Sequence, residues 1–153
     1  MLIFKYLHIL SMFGAVGLVV GTDLLLHRVA HSGDVRAIRT TFALFKPINF
    51  AIPVMFALGL IFGLITAFTG QLNFLAPWLI LSYIVFGLTF TIGGIAGKWT
   101  ANMAQEAAAS PDDAPSAELT ALINQRAPRF ASYMGFLAVI VIVFLMVVKP
   151  FST

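Results

Sequence analysis

Four long apolar stretches organise the chain, at about residues 3–26, 47–68, 74–97 and 130–148, and three more polar segments separate them. Each stretch holds roughly 20 residues, enough for a helix to cross a hydrocarbon layer about 30 Å thick. A helix also pairs its own backbone amides where no water can reach them. The pattern therefore predicts an all-α fold: an integral membrane four-helix bundle, forming one transmembrane domain over residues 1–153. Only Lys5, His8 and Asp23 interrupt the first stretch, which runs on through bulky Val19, Val20, Leu24, Leu25 and Leu26. That length and those residues read as a retained span instead of a cleaved leader.

The connections differ from one another. Residues 27–46 carry Arg28, Arg36, Arg39 and Lys46 against one acid, Asp34, while Val35, Ile38, Phe42 and Phe45 recur at helical spacing. This segment predicts an interfacial helix or an extension of the second span. Residues 69–73 form a short uncharged turn containing Gly70. Residues 98–129 read as an alanine-rich helical piece to Ala109, a break at Ser110-Pro111-Asp112-Asp113, and a short helix from about Pro115 to Gln125. Ser116 or Asp113 is placed to cap that helix, and Leu119, Leu122 and Ile123 give it an apolar stripe.

Charge adds a direction. Of the nine Lys and Arg residues, all but Lys5 and Lys149 lie in the first and third connections. The positive-inside rule then places loops 27–46 and 98–129 in the cytoplasm of a bacterial inner (plasma) membrane, with both termini periplasmic or extracellular. Tyr6, Trp78, Trp99, Phe130 and Tyr133 stand at span ends, as an interfacial aromatic belt would. The mean hydropathy of +0.99 and 10% charged residues agree with a chain whose main partner is the lipid bilayer. Nucleic-acid binding is excluded by the shortage of phosphate-neutralising groups. Zero cysteines exclude disulfides, thiolate metal sites, iron–sulfur clusters and thioether-attached haem.

Glycines occur at helix-contact spacing: Gly14, Gly17 and Gly21, then Gly59 and Gly63, then Gly93 and Gly97. Such positions let helix backbones approach each other in lipid. Pro47 reads as the natural start of the second span, Pro53 as a bend within it and Pro77 as an early-turn residue of the third.

Few polar groups sit within the spans. His8, one turn inside the first, could ligate haem b or hold a quinone or lipid headgroup by a hydrogen bond. No second histidine lies inside a span, so a sixth haem ligand would be a methionine such as Met12, Met55, Met134 or Met146, or come from a partner. Asp23, His27 and His31 recur every four residues and share a helical face if the first helix continues past the membrane, a set that could hold a divalent metal or relay a proton. The simpler expectation is that Asp23 pairs with Arg28, Arg36 or Lys98 and fixes the depth of the first span. Lys98, after a glycine-rich stretch, would snorkel from the end of the third. It could equally join Arg28, Arg36 and Arg39 in contacting the propionates or phosphates of a bound cofactor.

Tyr6-Leu7-His8-Ile9-Leu10 with Gly14 and Gly17, the Arg/His-bearing first loop, and Pro53 leading to Gly59 together resemble a family of small bacterial four-span proteins described as predicted integral membrane proteins. That family is distantly similar to the copper-resistance D and HemJ-type protoporphyrinogen oxidase membrane domains. The resemblance implies a helical bundle in which His8 is a haem ligand and Lys98 stands for a lysine of a later span. Lys98 falls at the end of the bundle away from His8, which departs from the oxidase pattern. Copper transport would need cysteines or a dense Met/His path, and this chain has neither. The leading expectation is a structural or accessory inner-membrane protein, a homo-oligomer or a partner of other membrane subunits. The alternatives are a haem- or quinone-linked redox protein using His8, and an oligomeric transporter or channel.

Overall fold

The computed structural model describes residues 2–111 and 114–150. They form five helices: α1 (Leu2–Ala30), α2 (Val35–Thr69), α3 (Pro77–Ala109), the short α4 (Ala117–Ile123) and α5 (Arg126–Val148). The fold is an all-α four-helix bundle. Four segments, with α4 and α5 counted as one, are long and apolar enough to cross a membrane among the described residues. The long helices run up and down, α1 packing on α2 and α3 on α5. Between these two pairs α2 meets α3, while α1 and α5 touch only sparingly.

The helices outrun the apolar stretches at one end. With 35 and 33 residues, α2 and α3 are each about 50 Å long at 1.5 Å per residue, some 20 Å more than a hydrocarbon layer requires. The segment from Val35 to Lys46 is thus the first part of α2 itself. Asp34 starts it, its carboxylate accepting the Ala37 N–H at 3.0 Å, and Gly33 makes the preceding turn at φ +74°. Pro47 consequently lies inside α2 and does not begin it. Neither Pro47 nor Pro53 can give an N–H to the carbonyl four residues back, so α2 goes without two of its bonds.

The protruding parts make a head, and the buried core lies there. Leu26, Ala30, Val35, Ile38, Phe42, Trp99, Met103, Ala107 and Leu119 form one cluster, closed by Leu122 and Ile123 of α4. Ser116 caps α4 by accepting the Leu119 N–H at 3.1 Å; Asp112 and Asp113 lie outside the described residues. The stripe of α4 therefore packs on the bundle. Trp99, expected in an aromatic belt, is instead a core residue, its indole N–H donating to the Leu122 carbonyl at 3.1 Å. Arg39 closes the C-terminus of α3, donating from Nε to the Ala107 carbonyl at 3.0 Å and from Nη2 to the Ser110 carbonyl at 2.8 Å.

Deeper in the bundle, an edge-to-face trio joins α2 to α3: Phe56 stands 6.0 Å from Phe86 and 6.1 Å from Phe90. In the turn between these helices it is Gln71 that takes positive φ, at 51°. Gly70 serves by size, since a Cβ there would stand 2.9 Å from the Thr66 carbonyl oxygen.

Because the head is where apolar burial operates against water, Leu119→Ala should cost about 2–5 kcal/mol and lower the thermal midpoint in mild detergent. Val147→Ala, at a 76% exposed position of α5, should leave the midpoint unchanged.

Candidate functional site

Where the head meets the spans, α1 places Thr22, Asp23, Leu26 and His27 over one and a half turns. Thr22 and Leu26 are buried, and the half-buried Asp23 and His27 lie beside them. The Ser132 hydroxyl of α5 reaches Asp23 Oδ1 at 2.5 Å and the Pro128 carbonyl at 3.1 Å. The shorter contact takes its proton, and a hydroxyl on a carboxylate is one of the stronger bonds available at such a depth. Asp23 Oδ1 also lies 3.5 Å from His27 Nε2. The His27 ring stacks on Trp99 with centroids 4.7 Å apart and planes 20° from parallel, and Phe42 meets Trp99 edge-on with centroids 5.9 Å apart. Asp23 is thus joined to Ser132 and His27, and not to Arg28, Arg36 or Lys98.

These residues stand at the end of a cleft of about 910 Å³ that has all four long helices on its walls. The lining is largely apolar, with Asn49, Thr89, Thr100 and Ser132 as scattered polar groups and Asp23 as its one unambiguously charged residue. Gly93, Gly94 and Gly97 of α3 face it, and a Cβ built on any of the three meets nothing within 4 Å. These glycines open space instead of closing a helix–helix contact. Gly59 and Gly63 act differently, receiving the side chains of Met12 and His8 from α1. Leu24 on one side and Tyr133, Phe136 and Ile140 on the other line the cleft and are exposed, so it opens sideways between α1 and α5.

A second, smaller cavity of about 350 Å³ lies on the head side of the same point, lined by His27, His31, Arg126 and Arg129 with Ile123, Asn124 and Gln125. Arg129 Nη2 is 2.7 Å from His31 Nε2. The guanidinium can only donate, so His31 accepts at Nε2. His27 borders both spaces and forms part of the wall between them.

The sequence-predicted residues are divided among different places. Asp23 and His27 converge, but α1 ends at Ala30 and His31 turns to Arg129. Among the described residues no group of three His, Cys, Asp or Glu side chains could hold a metal ion, so the expected Asp23–His27–His31 set is not assembled. Asp34, next in that series, is occupied as the cap of α2. His8 Nδ1 donates to the Gly59 carbonyl at 2.6 Å, which leaves Nε2 as the lone-pair nitrogen. His8 borders neither of these two cavities. His8 is also about 22 Å along α1 from Asp23, at 1.5 Å per residue. Lys98 and Arg36 are exposed and Arg39 is held on α3 in the head, so these residues and His8 do not form one haem site. Ser132, Arg126 and Arg129 were not singled out by the sequence as site residues, and Trp99 was read as a belt residue instead of a wall of the site. The available signal was the pair of arginines flanking Pro128.

The family model described as "Predicted integral membrane protein (DUF2269)" matches residues 2–150, and the chain belongs to that family. No curated protein and no solved structure matches it significantly.

The Asp23–Ser132 bond ties α1 to α5 where the head meets the spans. Asp23→Ala and Ser132→Ala should each cost about 1–3 kcal/mol of unfolding free energy. The double variant should fall short of their sum by at least about 0.5 kcal/mol in denaturant titrations, whereas full additivity would mean that the pair does not interact.

Proposed function

We propose that this member of the integral membrane family binds a lipid-soluble amphiphile, with the apolar body in the four-helix cleft and the polar end toward His27. The observation that carries this reading is the cleft itself: about 910 Å³, largely apolar, open to the side and lined by glycines that leave room unfilled. Binding sites for small molecules have this character, a concave apolar space with a few convergent polar groups. Asp23, His27 and Ser132 supply those groups at one end. No reacting centre is needed for such a role, which is one of holding, sequestering or presenting a membrane molecule. A second reading, self-association or an accessory place beside other membrane subunits, is favoured by Gly17 and Gly21, whose faces meet no neighbour within 4 Å. In either case the head with its basic loops faces the cytoplasm in this proposal.

Occupancy is testable through Trp99, which lines the cleft. The chain has two tryptophans, so in a Trp78→Phe background Trp99 emits alone. A brominated long-chain alcohol should quench it saturably in nanodiscs. Gly94→Leu, which fills the cleft where nothing else stands, should weaken the apparent affinity at least about tenfold with the thermal midpoint unchanged. Equal quenching in both proteins would overturn the cleft as the binding place.

Orientation has its own check, since the chain contains no cysteine. A cysteine placed by Ser32→Cys, in the exposed turn before α2, should be shielded from impermeant thiol reagents in intact cells and react after lysis. Labelling in intact cells would reverse the proposed topology.

A further inference from the structure

The smaller cavity differs in chemistry from the cleft it adjoins. Its lining holds two arginines and two histidines, the amides of Asn124 and Gln125, and no acid. Arg126 and Arg129 are three residues apart on α5, close enough for their like charges to repel. Arg129 gives one N–H to His31 at 2.7 Å, which orients the guanidinium and leaves most of its five donors for other acceptors. Arg126 is exposed and makes no hydrogen bond or ion pair with the described residues. With about 350 Å³, the space holds on the order of ten waters at about 30 Å³ each. That is ample for a phosphate or carboxylate group with part of its hydration.

The cleft is built the other way. Asp23 is its unambiguously charged lining residue, and His27 stands between that carboxylate and the smaller cavity. An anion in the cleft would lie against a carboxylate in a medium of low dielectric, where like charges repel strongly. An anion in the smaller cavity meets two guanidinium groups with His27 and its stacked Trp99 shielding it from Asp23. The two spaces thus sort the two ends of one molecule: hydrocarbon beyond His27, negative charge before it.

We infer that the polar end of the ligand is an anion, a phosphate or carboxylate, seated between His31, Arg126 and Arg129 while its chain passes His27 into the cleft. This rests on the amphiphile-binding reading and narrows it to anionic amphiphiles. The same cavity chemistry would accept a free anion, and the experiment separates the two sources.

The test compares two probes of one chain length, a brominated long-chain alcohol and its monophosphate ester, by Trp99 quenching in nanodiscs of neutral lipid with the Trp78→Phe protein. The phosphate should bind at least about tenfold more tightly than the alcohol. Arg126→Gln and Arg129→Gln should remove that preference while leaving alcohol binding within about twofold. Arg28→Gln, an exposed residue that lines neither cavity, should leave the preference intact and so exclude a general surface-charge effect. Arg129→Lys, which keeps the charge but not the fork, covers the case in which Arg129→Gln fails to fold. Inorganic phosphate at millimolar concentration should fail to displace the ester if chain and anion act together; displacement at that level would mean a free-anion site and overturn the joint occupancy. Equal affinity for alcohol and ester would overturn the anionic assignment and leave the cleft reading standing. Failure of both probes to quench saturably would sink the cleft reading itself.

Discussion

In lipid, apolar side chains gain nothing by leaving one apolar neighbour for another, so packing of the spans against each other lacks the driving force that folds water-soluble proteins. The rest of this structure depends on where that force is recovered. It returns in the head, where α1, α2 and α3 extend past the apolar stretches and α4 folds across them. The largest fully buried side chains, Phe42, Ile38, Met103 and Leu119, are gathered there. Hydrogen bonds from Arg39 to the end of α3 and from Trp99 to α4 add direction to that burial.

Within the spans the helices are fastened at separate points. Side chains of α1 enter the space left by Gly59 and Gly63 of α2, and Phe56 meets Phe86 and Phe90 across α2 and α3. Between α1 and α5 the ties are polar and sit near the head, Asp23 with Ser132 and His31 with Arg129. The two helices otherwise touch only sparingly, and the cleft lies along their seam. A bundle closed at one end by a packed head and open along one seam is the arrangement on which the proposed amphiphile binding rests. His27 lines both the cleft and the cationic cavity.

Much of this fold was legible because hydropathy reads directly as membrane spans and because caps are local. Ser116 before α4 and the apolar spacing of Val35, Ile38 and Phe42 depend only on near neighbours. The start of α2 was less legible: Pro47 at an N1-like position competed with Asp34, and tertiary burial of Val35, Ile38 and Phe42 in the head decided for Asp34. Trp99 at the end of an apolar stretch looks the same whether it meets headgroups or a core. The Asp23–His27 pair followed from i, i+4 spacing, and His31 dropped out because the helix ends at Ala30. Ser132, Arg126 and Arg129 were hidden for a general reason. Ser132 meets Asp23, Arg129 meets His31 and Arg126 shares a cavity with His27 from about a hundred residues away along the chain, and a partner in another helix has no spacing signature. The glycines divide in the same way, since spacing cannot say whether a missing Cβ admits a neighbour or leaves a space.

The central claim is that the head holds the two helix pairs in register along the open seam. Because the chain has no cysteine of its own, spin labels can be placed at Phe13→Cys on α1 and Val147→Cys on α5, both highly exposed positions. Pulsed dipolar spectroscopy then reads the distance between them in nanodiscs, with Phe42 intact and with Phe42→Asp breaking the head core. The account predicts a single narrow distribution in the first protein and a broad one in the second at unchanged helix content. The same narrow distribution in both would show that contacts inside the membrane suffice, and would contradict it.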